Sequence, residues 1–171
     1  MNRNLYKLAF LALALVSDGA GAADPKPASC AGAQWHQFDF WIGHWKVTAG
    51  GKPAGTSHIE AILDGCAFLE HWQSNGGGDG KSLNFYDRRD SLWHQTWIDR
   101  SGTALNLAGK FENGAMRLEA TSAASAGQPA TRQRITWTSL PGGKVRQLWE
   151  SAPVDKDEWT TQFDGLYEPA K

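Results

Sequence analysis

Hydrophobic and polar positions alternate in ten short runs, at residues 42–49, 56–63, 66–73, 81–86, 92–99, 103–112, 115–121, 131–140, 144–151 and 159–168. Alternation of period two is the mark of a strand with one buried face. The runs are punctuated by turn formers: Gly50-Gly51-Lys52-Pro53, Asp64-Gly65, the four-glycine stretch 74–80, Asn113-Gly114 and Pro141-Gly142-Gly143. No amphipathic helix separates any two runs, which excludes parallel pairing through crossovers. The pattern predicts an all-β, up-and-down antiparallel β-barrel of about ten strands, favoured over a sandwich because strand order follows turn order without a long connection. Residues 34–39 predict one helical turn covering an end of the barrel, and 74–80 is the natural flap over an opening.

Turn chemistry fixes the registers. A two-residue Asp64-Gly65 turn sets Leu63 opposite Cys66, Ala61 opposite Phe68, Ile59 opposite Glu70 and Ser57 opposite Trp72. That face is the more apolar and is expected inward, with Cys66 inward as well. The other face carries His58 opposite His71 and Glu60 opposite Leu69. Arg100-Ser101-Gly102, with Gly102 left-handed, places Trp97 beside Leu105 and Gln95 beside Leu107. Asn113-Gly114 pairs Phe111 with Met116 and Leu107 with Ala120 in the core, and leaves Lys110 and Arg117 in solvent. At the start, Gly43 permits a sharp bend, and Trp45 points with Val47 to plug one end.

The N-terminus changes the setting. Arg3 and Lys7, an apolar run from Leu8 to Val16 and Ala20-Gly21-Ala22 have the order of a secretory signal. The division expected is a signal at 1–22, a lead at 23–36 and a single barrel domain at 37–171, with cleavage near Ala22 and a periplasmic or secreted product. The apolar run is too short to span a bilayer, so no transmembrane segment is expected. Loss of Arg3, Lys7 and Asp18 moves the formal net charge from −1 to −2. With Lys and Arg scattered singly, this argues against nucleic acid as a partner. Export makes a Cys30–Cys66 disulfide the default, pinning the lead to the barrel; two unpaired buried thiols are the alternative.

Nine tryptophans, present on nearly every predicted strand, suggest a lined interior. Glu70 is the candidate at its centre, because the register sets it inward between Phe68 and Trp72. A carboxylate there needs an indole, a phenol, an amide or an arginine as partner, or keeps its proton. Gln95 and Gln147 alternate with tryptophans, Gln95 with Trp93 and Trp97 and Gln147 with Trp149. With Trp72 and the less certain Asn84 they make the expected ligand-binding set: a mostly aromatic wall with a few polar groups. A small, largely apolar or aromatic ligand is the expected partner, with no cofactor. The alternative is a cofactor-free lyase, isomerase or cyclase with Glu70 as acid or base, assisted by Tyr86 and Arg134. Arg134 alternates with Ile135 and Trp137, which leaves an outward direction open for it. His58, His71 and Glu60 offer two imidazoles where a zinc site needs a third ligand, so no metal is expected.

The segments from Phe38 to Trp45, Asp64-Gly65-Cys66, Ser82 to Asp87, Trp93-His94-Gln95-x-Trp97, Trp159 and Phe163-Asp164-Gly165-x-Tyr167 resemble a lipocalin-like, calycin-type family of bacterial secreted proteins of unknown function. Its members open with Phe-Asp-Phe-x-Ile/Leu-Gly-x-Trp. The resemblance covers most of the chain after the signal and implies a barrel with a ligand cavity. Two departures accompany it. No arginine follows Arg146 to cover the plugging tryptophan as in true lipocalins, and no histidine follows His94 where the related nitrobindins ligate haem.

Overall fold

A computed structural model describes residues 30–124 and 129–170. The expected signal and its cleavage point lie outside the described residues. Ten antiparallel strands form the wall: β1 (Gly43–Ala49), β2 (Lys52–Ile62), β3 (Ala67–Ser74), β4 (Gly80–Asp87), β5 (Leu92–Asp99), β6 (Ala104–Glu112), β7 (Ala115–Ser122), β8 (Thr131–Leu140), β9 (Lys144–Pro153) and β10 (Thr160–Pro169). Each pairs with its sequence neighbours, and β1 pairs with β10 from Trp45↔Pro169 to Ala49↔Gly165, so the sheet closes as an up-and-down barrel. Closure removes the sheet edges that ten short strands would otherwise expose. Among the described residues no helix is long and apolar enough to cross a membrane.

One end is packed solid. The chain enters through two 3-10 turns, Ala33–His36 and Asp39–Trp41, and from them Phe38 and Trp41 rise into the lumen, both wholly buried. The Phe38 ring centroid lies 5.0 Å from Trp41, 5.6 Å from Trp93 and 5.2 Å from Trp137. Gly43, at φ +141°, turns the chain out of this plug and into β1, a conformation other residues rarely adopt. Trp45 and Val47 then face inward, and the Trp45 indole N–H donates to the Trp41 carbonyl at 2.9 Å. The residue of the last strand packed on Trp45 is Tyr167, edge-on at 6.2 Å, where true lipocalins use an arginine. Arg146 is engaged elsewhere, on Asp164 at 2.7 Å.

The expected registers hold along the ladders: Ile59↔Glu70, His58↔His71, Trp97↔Leu105, Gln95↔Leu107, Phe111↔Met116 and Lys110↔Arg117 are all partners. Cys30 and Cys66 form a disulfide. Four details differ from the sequence reading. The β2–β3 turn is a four-residue one, with Leu63, Asp64 and Gly65 all at positive φ and the Cys66 N–H on the Leu63 carbonyl at 3.1 Å. Leu63 is therefore 72 % exposed, Ala61 at the rim is exposed too, and Cys66 belongs to the turn, where strand alternation does not govern its direction. Lys52 and Pro53 are the first residues of β2 rather than part of the break, because Gly50 and Gly51 alone make the turn. Finally, the tryptophans do not all line a cavity. Trp41, Trp45, Trp93 and Trp137 belong to the packed end, Trp35 lies edge-on to Tyr86, and Trp159 sits under the Arg134 guanidinium at 3.9 Å. The Trp41 and Trp137 indole N–H groups are buried with no hydrogen-bond partner among the described residues.

Candidate functional site

Above the plug the lumen opens into a cavity of about 330 Å3. Its walls follow from alternation at the other ends of the strands: Trp72 on β3, Trp97 on β5, Trp149 on β9 and Phe163 on β10 supply aromatic faces, and Ala54, Leu105 and Ile135 supply aliphatic ones. Trp72 and Phe163 meet edge-on at 6.0 Å. Two inward glycines make room for these rings. A Cβ on Gly80 would lie 2.3 Å from the Trp97 ring, and one on Gly165 would lie 2.3 Å from the Phe163 ring. Ser74, the last residue of β3, and Gly78 of the following loop are among the lining residues, and Asp79 of that loop is paired with Arg100 at 3.2 Å.

Glu70 lies at the inner side of this cavity and is only 4 % exposed. Its partners are two serines, not the indole, phenol, amide or arginine expected. Ser57 Oγ donates to Oε1 at 3.0 Å, and Ser82 Oγ donates to Oε2 at 2.7 Å. Asn84 Nδ2 donates to Ser82 Oγ at 2.9 Å, and Gln95 Nε2 donates to Asn84 Oδ1 at 2.8 Å. The hydrogen bonds thus run in one direction, Gln95 to Asn84 to Ser82 to Glu70, across three adjacent strands. Burial pushes the Glu70 carboxyl up from 4.5 to about 7; the Ser82 and Ser57 hydroxyls counter this but do not outweigh the loss of water. Glu70 is therefore the group lining this cavity placed to take up or release a proton near neutrality.

Opposite, the Tyr167 hydroxyl donates to Gln147 Oε1, which leaves the Gln147 amide N–H groups for the cavity. Burial, with the charge of Glu70 second, holds the Tyr167 phenol well above its ordinary value, so it stays a neutral donor. Asp99, also at the cavity, is held below the ordinary carboxylate range chiefly by the Ser101 hydroxyl. No lysine or arginine is among the described residues lining the cavity.

Of the ligand-binding residues expected from sequence, Glu70, Trp72, Gln95, Trp97, Gln147 and Trp149 line the cavity together. Asn84 does not; it is wholly buried, hydrogen-bonded to Ser82 and to Gln95. The two proposed helpers of Glu70 are elsewhere. Tyr86 packs between Trp35 and Trp93 near the plugged end. Arg134 faces outward, paired with Glu150 at 2.8 Å and lying over the Trp159 ring. Sequence reasoning missed Ser57 and Ser82 as partners of Glu70, although the β2–β3 register already set Ser57 inward, one step from it. Tyr167 and Phe163 were visible only as members of a motif.

No protein-family model matches the chain, and no curated protein matches it.

Proposed function

We propose that the protein is an exported barrel, of the lipocalin-like, calycin type, that binds a small, largely apolar or aromatic molecule in the lumen. The observation that carries this reading is the cavity: three tryptophans and a phenylalanine around a buried carboxylate, closed below by an aromatic plug. Wide apolar walls with a few convergent polar groups are what a small-molecule site requires. The polar groups indicate the kind of ligand. With Glu70 and Asp99 at the cavity and no cationic side chain on its described lining, an anionic ligand is disfavoured and a neutral or cationic one is favoured. A hydroxyl or amine on an otherwise apolar body would meet Glu70 and the free face of the Gln147 amide. The Cys30–Cys66 disulfide fits an oxidising compartment, which supports export. Mass spectrometry of protein purified from its native host tests the reading: a co-purifying neutral or basic small molecule supports it, and a co-purifying fatty acid or other anion counts against the ligand class.

A second reading rests on Glu70 itself. A carboxyl at about 7, facing a cavity walled by aromatic rings, is poised for general acid–base work in a cofactor-free lyase, isomerase or cyclase. In that case Tyr167 and Gln147, not Tyr86 and Arg134, would position the substrate. Turnover by the wild type that disappears in Glu70→Gln, with ligand affinity retained, would favour the enzyme over the carrier.

A further inference from the structure

Outside the lumen, three histidines from three different strands occupy one patch of wall. His44 on β1 is the register partner of His58 on β2, and His58 is the register partner of His71 on β3. Their side chains therefore project side by side from the same outward face, on strands whose spacing is about 4.8 Å. The His44 and His58 rings are stacked with centroids 3.8 Å apart, and the His58 and His71 rings are 6.0 Å apart. His71 Nε2 also contacts Glu60 Oε1 at 3.1 Å. The β2–β3 hairpin pairs His58 with His71, and the β1–β2 hairpin adds the third imidazole, because β2 returns along β1 after the Gly50-Gly51 turn.

We propose that His44, His58 and His71 form a surface site for a late first-row divalent cation such as Zn2+, Ni2+ or Cu2+. Three imidazoles with one position left open is an established donor set for such ions. The base is stiff, since the β1–β2 ladder is continuous from Gly43↔Ile59 to Val47↔Gly55 and its bulge lies beyond the patch. A metal would have to open the His44–His58 stack and draw the two outer rings toward His58, on a face that is half-buried to exposed. Glu60 is placed either to orient His71 from behind or to become a fourth ligand. Lys46, two residues from His44 on the same face, and Lys81, the register partner of His71, flank the patch. These charges oppose a hard cation held by electrostatics alone, so the site selects metals that form strong bonds to nitrogen and not Ca2+ or Mg2+. A second group, Asp87, Asp90 and His94, is less suited: Asp87 is already clamped by Arg89 at 2.9 Å. None of the three ladder histidines lines the lumen, so this inference stands apart from the ligand-binding reading.

The test is calorimetric titration of the untagged, disulfide-intact protein with Zn2+, beside Cu2+ electron paramagnetic resonance. One equivalent should bind with a Kd on the order of micromolar or tighter. His58→Ala should weaken binding about tenfold or more, while His94→Ala should leave it unchanged. The Cu2+ spectrum of the wild type should carry hyperfine structure from at least two imidazole nitrogens. Absence of binding, equal binding by His58→Ala, loss in His94→Ala, or a spectrum with fewer nitrogens would overturn the assignment.

Discussion

Glu70 Oε2 accepts a 2.7 Å hydrogen bond from Ser82 Oγ, and that serine is itself the acceptor for Asn84, so the carboxylate terminates a chain of donors that begins at Gln95. The chain matters because it works against burial: each donor favours the ionised form, while the surrounding apolar walls favour the protonated one. Burial is the larger effect, and the carboxyl titrates at about 7.

This balance makes stability pH-dependent with a definite sign. The folded-state value is raised above the unfolded one, so the folded state holds the proton more tightly between 4.5 and about 7. Glu70's contribution is then fully favourable below that window and declines as pH rises through it, by roughly 3 kcal/mol in total. Urea unfolding at about pH 5 and about pH 8 should show the wild type losing stability relative to Glu70→Gln across this interval. Parallel pH profiles for the two proteins would show that Glu70 does not titrate as described.

Removing Ser82 should move the equilibrium in a known direction. Ser82→Ala deletes the shorter of the two hydrogen bonds to the carboxylate and leaves Asn84 only the longer bond to the residue 82 carbonyl, so Glu70 should titrate above about 7. Ser57→Ala should have the same sign and a smaller size. Both shifts are readable from the Glu70 side-chain carboxyl carbon by NMR. A downward shift in either variant would contradict donation from these serines to the carboxylate.

Gly80 tests the wall of the cavity rather than its floor. A methyl group there meets the Trp97 ring at 2.3 Å and the Ile98 carbonyl at 2.8 Å, so Gly80→Ala must displace the indole or part of β5. Overpacking of this kind costs about 1–3 kcal/mol. Ligand affinity should fall with it, whereas Gly76→Ala in the adjoining loop, where the nearest atom is the Ser74 hydroxyl at 3.6 Å, should be nearly neutral.

The disulfide anchors the entering segment from which Phe38 and Trp41 plug the barrel. Cys66→Ala should lower unfolding free energy by roughly 4 kcal/mol in the chain-entropy model, because the bridge closes a loop spanning a separation of 36 residues. Reduction of the wild type should reproduce the loss, measured by thermal unfolding with and without reductant.

The fold is largely legible in the sequence because its turns carry strong local chemistry. Asn113 and Gly114, both at positive φ, and Gly102 in the left-handed position determine where two hairpins fold back, and alternation then assigns every side chain to a face. Alternation gives the face but not the height along the barrel axis. Trp93 and Trp97 share a strand and a face, yet Trp93 is in the plug and Trp97 in the cavity wall. Asn84 faces inward as well, yet it is wholly buried beside its register partner Gln95 and does not reach the cavity surface. The approach of Tyr167 to Glu70 across the lumen depends on closure and strand stagger, which no single hairpin encodes, and His44 meets His58 only because a bulge between Val47 and Thr48 shifts the β1–β2 register.

A lumen that receives a small apolar ligand should bind N-phenyl-1-naphthylamine, an uncharged, environment-sensitive fluorophore, in a direct titration. The expected result is a saturable rise in probe emission with one site per chain, matched quenching of tryptophan, and at least about a tenfold loss of affinity in Ala54→Trp, which fills the cavity. Absence of saturable binding, or equal binding by a folded Ala54→Trp protein, would contradict it.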